Sequence, residues 1–383
     1  MSDWLETATG RFQLERYRAP ARSSLRAWDA ADEYALSHLH ERDLLGPDQP
    51  APLLVNDGCG ALAVALHGYR PIVWSDSRLA ELALRDNLAS NGLPADCVTW
   101  LPSTECPSAP CSVVVIKVPK TLALLRAQLH AVRPLLDTDS SVVGAAMTRH
   151  VHNSTIEQFS EMIGPTRTTR ARKKARLLLA AFEPGLTSAP PPAATHYSWP
   201  LGPNGPELVL CNRPGVFSAR RIDIGSRFLL EHFPDCADAS DIVDLGCGNG
   251  VLGCVAAWRS PTARVHFVDQ SYLAVASARE SFARAFPEQL ERAYFSVRDC
   301  LDGFVEHSVD LVLCNPPFHD DRAVGVHLAA RMFADAAVAL RPGGSLVVVA
   351  NRHLGYASLL RRWFDAVQCV AENRKFVILH ASR

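Results

Sequence analysis

The chain has no apolar run long enough to cross a bilayer as a helix, no C-x-x-C pair among its eleven cysteines and no excess of either charge. Each absence excludes something. A membrane-spanning helix is ruled out, and Met1-Ser2-Asp3-Trp4-Leu5-Glu6 has neither the basic nor the apolar region of a secretory leader, so a cytoplasmic location is expected. An odd number of cysteines without zinc-like spacing argues for reduced thiols and against a disulfide framework or a metal site. A formal charge of −1 carries no whole-chain signature of nucleic-acid binding, which must then come from local basic clusters. What remains is a globular composition, 48% apolar and 21% charged, over 383 residues, a length that favours two domains.

A proline-rich stretch from Pro184 to Ala194 disfavours helix and central strand, and marks a linker, 184–200, between residues 1–183 and 201–383. The second half alternates short apolar strands with helical patterns, as a doubly wound α/β sheet does. Strands are predicted at 242–245, 264–269, 293–299, 309–314 and 345–350, with a helix over 328–340 stopped by Arg341-Pro342-Gly343-Gly344, and a late antiparallel strand at 376–380. The first half repeats the order at 52–55, 72–76, 112–116 and 141–147, Arg133-Pro134 recurs as Arg341-Pro342, and Arg172 to Leu177 match Asn373 to Ile378. Six segments in order argue for an internal duplication, giving two tandem Rossmann-like domains.

The first strand of the second half runs into Asp244-Leu245-Gly246-Cys247-Gly248-Asn249-Gly250. Such a turn lets backbone approach a ligand, with helix N–H groups facing it. A dinucleotide fingerprint wants its third glycine where Val251 stands, so the spacing favours S-adenosylmethionine over NAD. Asp269, followed by Gln270, is placed for ribose hydroxyls, and Asp299, followed by Cys300, for an adenine amino group. The same glycines would also serve a tight turn with close helix packing, and Asp269 a strand-end cap. Cys247 and Cys314 have no partner at a telling spacing and read as packing residues.

After the fourth strand comes Asn315-Pro316-Pro317-Phe318. The amine of a nucleobase is a poor nucleophile because its lone pair is delocalised into the ring. An asparagine oxygen and the carbonyl of the next proline can accept both amino protons, the prolines preorganise those acceptors, and an aromatic ring stacks on an extruded base. A Pro-Pro turn ending a strand is the bland alternative. The first half has Lys117-Val118-Pro119-Lys120 here, and a lysine offers donors but no acceptor. Its loop, Asn56-Asp57-Gly58-Cys59-Gly60-Ala61-Leu62, overlays so that Ala61-Leu62 replace Asn249-Gly250.

These motifs resemble the amino-methyltransferases that act on nucleobase amines or glutamine amides. With His319, Val349-Ala350-Asn351-Arg352-His353-Leu354 and a degenerate first copy, the chain is similar to ribosomal RNA guanine-N2 methyltransferases, which carry two class I methyltransferase-like domains with only the second active. Ala27 to Tyr34 and Ile116 to Leu125 resemble the large-subunit branch, which acts on guanine 1835 of 23S ribosomal RNA; the small-subunit branch, acting on 16S RNA, is the competitor. The resemblance implies that Asp244, Gly246, Gly248, Asp269 and Asp299 hold the cofactor, that Phe217-Ser218 cover it, and that Asn315 to Phe318 hold the base.

Arg167, Arg170, Arg172, Lys173, Lys174 and Arg176 form the densest basic run, either an RNA phosphate contact, for which the last five are the candidates, or a solvated strand edge. A second group, Arg213, Arg220, Arg221 and Arg227, flanks the expected lid. A nicotinamide oxidoreductase, a protein glutamine methyltransferase and a non-catalytic RNA-binding assembly protein remain as alternatives. No metal is expected, and no oligomer is required, since a duplication can do the work of a dimer.

Overall fold

The computed structural model describes residues 4–19, 25–187, 190–202, 205–317 and 322–383, with no side-chain description for 322–324. It separates into two compact units, Met1–Ala193 and Ala194–Arg383. The first opens on the hairpin β1 (Trp4–Thr7) and β2 (Gly10–Gln13), then α1 (Ala30–Glu41). It continues through β3 (Leu53–Val55), α2 (Ala61–Ala65), β4 (Ile72–Ser75), α3 (Arg78–Ser90), β5 (Thr99–Pro102), β6 (Val113–Lys117) and α4 (Leu122–Val132). It ends with β7 (Ser141–Met147), α5 (Asn153–Met162), β8 (Thr166–Thr168) and β9 (Ala175–Ala181).

The second unit opens on the hairpin β10 (Thr195–Pro200) and β11 (Glu207–Asn212), then α6 (Ile224–Glu231), β12 (Asp241–Leu245), α7 (Val251–Arg259), β13 (Arg264–Asp269) and α8 (Tyr272–Ala285). After these come β14 (Ala293–Val297), β15 (Val309–Cys314), α9 (Arg322–Ala339), β16 (Leu340–Asn351), α10 (Tyr356–Leu360), β17 (Ala366–Glu372) and β18 (Phe376–Ser382). Its sheet runs β14-β13-β12-β15-β16-β18-β17, and that of the first unit β5-β4-β3-β6-β7-β9-β8, the same order. In each, five strands are parallel and the last two pair antiparallel. β12 is buried along its whole length and β15 along nearly all of it, which is why their sequences read as near-continuous apolar runs: helices cover both faces.

Three expectations change. Residues 195–200, read as linker, form β10, whose alternating exposure reflects one covered face. Arg341 to Gly344 do not separate helix from strand but lie inside β16, where the register against β15 slips between Val309 and Leu311 and Gly343 takes φ +81°. The helix before it starts at Arg322 rather than near 328, and β17 at the sheet edge had no sequence counterpart.

Candidate functional site

β12 has β13 on one side and β15 on the other, so the chain leaves β12 in one direction and later returns on the opposite flank. In an open α/β sheet this reversal leaves a crevice at the carboxyl ends of the strands. The glycine loop follows β12 there, and Asn315 follows β15.

Gly246, Gly248 and Gly250 have φ of +75°, +54° and +83°. The left-handed backbone suits glycine, and Gly250 has a second reason: a Cβ would lie 2.9 Å from the Cβ of Ala278 and 3.0 Å from its Cα. Gly248 differs, since nothing lies within 4 Å of where its Cβ would stand, which leaves bare backbone facing open space. Its N–H donates to Asp269 Oδ2 at 3.0 Å, while Asp269 Oδ1 accepts from Ser271 N–H at 2.9 Å. Gln270, between those two, is exposed. Asn249 is buried and donates to Tyr197 Oη at 2.9 Å and Asn212 Oδ1 at 3.1 Å, tying the loop to the β10–β11 hairpin. Phe217 is 57% exposed.

Asp244 sits below the loop, where Oδ2 accepts the Gly253 N–H at 2.8 Å, so this carboxyl shapes the turn from beneath. Burial pushes it up to about 8, against the pull of that hydrogen bond. A carboxyl raised in the folded state contributes stability that is full below its ordinary value of 3.8 and lost as pH rises through about 8. Asp244→Asn is therefore expected to be more stable than the wild type at about pH 9, with the gain shrinking towards about pH 5. Urea midpoints at both pH values check this; a constant difference would remove the titration from the account. Asp299 is also buried, but its carboxylate is engaged by the guanidinium of Arg331 from α9. Cys247 and Cys300 are buried with thiols raised by desolvation, and so pack rather than react.

Asn315 shows the most specific geometry. Its Nδ2 donates to Ser226 Oγ at 2.8 Å and to the Asp223 carboxylate at 3.2 and 3.3 Å, whereas its Oδ1 is buried and has no hydrogen-bond partner among the described residues. Pro316 is buried and Pro317 exposed; Phe318 lies outside the described residues. Neither Asp223 nor Ser226 was singled out from sequence. The available signal was Asp223 as a helix N-cap ahead of Ile224-Gly225-Ser226, and it does cap α6 by accepting from Gly225 N–H at 2.8 Å and Ser226 N–H at 3.1 Å. Arg331, Asn212 and Tyr197 had no local signal.

The first unit places different residues on the same plan. Val55 pairs with Trp74 and Ile116 as Leu245 pairs with Val268 and Cys314, so Asn56 stands at the place of Gly246 and Lys117 at that of Asn315. The sequence overlay of the loops was therefore two residues out of register. Gly60, not Ala61 or Leu62, answers to Gly250: it precedes α2 at φ +77°, and its Cβ would meet Leu84 at 2.7 Å. Asp57 takes over the task of Asp244, accepting the Ala63 N–H at 2.9 Å, and is raised to about 7 by burial. Ser75 stands where Asp269 does and Thr104 where Asp299 does. Lys117 Nζ meets Asp29 at 2.8 Å and Asp32 at 2.6 Å, and Asn56 Nδ2 bonds the Lys117 carbonyl at 3.0 Å.

The basic run lies on a two-residue turn. Lys173 and Lys174 have φ of +47° and +63°, and Arg172 and Ala175 exchange backbone hydrogen bonds on either side. Two of its charges are balanced, Arg172 by Glu41 at 2.9 Å and Lys173 by Glu33 at 2.6 Å. Arg170, Lys174 and Arg176 are exposed and make no salt bridge among the described residues. Elsewhere among the described residues His196, Cys211 and Glu280 bring possible metal-ligand atoms within 4.8 Å of one another, but Glu280 already pairs with Arg284 at 3.0 Å.

Residues 2–184 match the family model of the RLMG N-terminal domain, and residues 207–380 the Methyltransferase small domain. The chain is 45% identical over 383 residues to the ribosomal RNA large subunit methyltransferase G of Streptomyces avermitilis, covering 100% of this chain and 99% of that one. It is 47% identical over 374 residues to the protein of the same name from Ectopseudomonas mendocina, covering 97% of each. Among solved structures, the T. thermophilus 16S rRNA N2 G1207 methyltransferase, in complex with AdoMet and guanosine, matches 99% of this chain and 97% of its own with a TM-score of 0.77. At 22% identity that likeness establishes the fold, the class I methyltransferase α/β fold with mostly parallel sheets.

Proposed function

The chain belongs to the ribosomal RNA large subunit methyltransferase G family, and on that premise we propose that it methylates the exocyclic N2 of a guanine, by resemblance guanine 1835, in 23S ribosomal RNA. The observation that carries the chemistry is the buried Asn315 Oδ1, an acceptor that has no partner among the described residues, just past the carboxyl end of β15. Oδ1 and the Pro316 carbonyl accept the two amino protons, draw the nitrogen towards tetrahedral geometry and direct its lone pair into the crevice. Phe318 is assigned to stacking on the base. The residues fit S-adenosylmethionine: a left-handed glycine loop with open space over Gly248, and Asp269 at the end of the neighbouring strand for ribose hydroxyls. Gly246, Cys247, Gly248, Asn249 and Gly250 line that side, with Gln270, Asp299 and Cys300 at the adenosine end and Phe217 as cover. When bound, the cofactor supplies an electrophilic methyl group on a sulfonium.

The common strand order of the two units, and their shared N-cap-to-strand contacts, support an internal duplication. The first copy is read as non-catalytic and without cofactor, because Ser75 and Lys117 stand where Asp269 and Asn315 act. Its exposed turn is assigned to ribosomal RNA. Lys174→Glu with Arg176→Glu is expected to weaken RNA binding roughly tenfold at low salt and to flatten its salt dependence, with cofactor affinity unchanged. RNA affinity equal to wild type would remove the turn from the interface. Among the described residues no helix is long and apolar enough to cross a membrane.

The test is transfer of labelled methyl from S-adenosylmethionine to unmodified large- and small-subunit RNA, tested separately. Label recovered as N2-methylguanine in the large RNA is expected; label in the small RNA alone would keep the reaction and replace the substrate.

A further inference from the structure

We propose that Asp223 and Ser226 are positioning residues that decide which end of the Asn315 amide faces the substrate; this rests on Asn315 being the amine acceptor. A carboxamide can be turned either way about its last bond, and one orientation presents an acceptor while the other presents a donor. Only the first can activate an amine. A carboxylate accepts and does not donate, and the two oxygens of Asp223 lie 3.3 and 3.2 Å from Asn315 Nδ2. Turning the amide over would set Oδ1 against that negative charge. Ser226 Oγ takes the same nitrogen at 2.8 Å, and the buried Oδ1 is left for the ligand. Donation from Nδ2 to a carboxylate also polarises the amide and makes Oδ1 a stronger acceptor.

Asp223 is held for this task by its other one. Its Oδ1 accepts from the Gly225 and Ser226 N–H groups as the cap of α6, which fixes the carboxylate before any substrate arrives. The neighbouring residue is also small: a Cβ on Gly225 would stand 3.1 Å from Asp223 Oδ1, closer than an ordinary contact, and 3.4 Å from Asn315 Oδ1.

The first unit provides an independent view of the same positions. There the α1 cap Asp29 and, three residues on, Asp32 reach Lys117, the last residue of β6. Cap, third residue and strand end are thus brought together by the fold in both units. In the first the contact is closed, a cation held between two carboxylates. In the second the contact consumes only the donor end of an amide, and leaves an acceptor over. The function depends on which side chains stand at three positions rather than on the backbone that joins them.

The experiment measures kcat, KM for unmodified 23S RNA, S-adenosylmethionine affinity and melting temperature for the full chain and for Asn315→Ala, Asp223→Asn, Ser226→Ala and the exchange Asp223→Asn with Asn315→Asp. Asparagine caps helices as well as aspartate, so Asp223→Asn should keep its melting temperature and cofactor affinity. Its own amide can now donate to Asn315, which turns and withdraws Oδ1; kcat is expected to fall about 100-fold with KM within about threefold. Ser226→Ala, which removes one of three acceptors, should lower kcat by less. In the exchange variant the carboxylate at 315 accepts from residue 223 through one oxygen and presents the other outward, and at least about a tenfold recovery over Asp223→Asn is expected. Such recovery is not produced by a merely structural role.

An active wild type whose Asp223→Asn variant keeps kcat within about threefold overturns the inference alone, as does an exchange variant no better than the single one. Absence of transfer by the wild type to either RNA overturns the underlying reading and the inference with it.

Discussion

Replacing Asn315 by alanine is expected to lower methyl transfer by roughly two to three orders of magnitude while S-adenosylmethionine still binds. The size follows from what is lost. Oδ1 is buried and has no hydrogen-bond partner among the described residues, so its hydrogen bond to the amine is expected to form with little reorganisation. That is the condition under which a single preorganised polar group matters most. The loss should fall on kcat, because the acceptor gains most as the nitrogen becomes tetrahedral and its protons become acidic. Single-turnover transfer to 23S RNA together with cofactor binding separates the two; unaltered turnover, or loss of cofactor binding in the same variant, would remove Asn315 from the chemical step.

The second large effect is expected in the other unit, where Lys117→Met should destabilise the fold by about 3–5 kcal/mol. Lys117 lies between Asp29 and Asp32, and Asp32 is only 5% exposed. Burial opposes the lysine charge, but the two acids outweigh it and hold its pKa above the usual lysine value. One cation cannot serve two carboxylates equally: Asp29, although partly buried, is held below its ordinary value by Lys117, whereas burial keeps Asp32 above it. Without the lysine, the folded-state pKa of Asp32 rises further above its unfolded value. Stability is then retained below the ordinary carboxylate range and lost as pH rises through the folded value, so the variant should approach wild type in acid and fall away towards neutrality. Adding Asp29→Asn and Asp32→Asn should restore much of the loss, since neutral polar groups are less costly to bury than unpaired charges. Denaturant unfolding across pH checks this, and a variant as stable as wild type at neutral pH would mean that the ion pairs do not support the fold.

Both predictions concern corresponding positions, and they show where sequence stops. Most of the central strands of each half were legible because buried parallel strands must be apolar along their length, as β12 and β15 are, whereas the half-exposed β5 and the edge strand β17 were not. The catalytic candidates were legible because the chemistry needs them contiguous: a glycine loop of seven residues and an asparagine followed at once by two prolines. The register of the first loop was not. Matching glycines to glycines put Ala61-Leu62 opposite Asn249-Gly250, and only the pairing of Val55 with Trp74 and Ile116 shows Gly60 at that place and Asp57 doing the work of Asp244 from another position. An aspartate can reach one helix N–H from more than one place in a loop, so the contact survives while the sequence pattern moves.

By itself, then, the sequence determined the fold class and the strand that carries each motif, because both depend on neighbours along the chain. The tertiary structure alone decided how the Asn315 amide is turned. Asp223 and Ser226 lie 92 and 89 residues from Asn315 and form no motif with it, and Arg331 lies 32 residues from Asp299. Hydrogen-bond direction depends on which groups meet in space, and that is settled only when α6 packs against the end of the sheet.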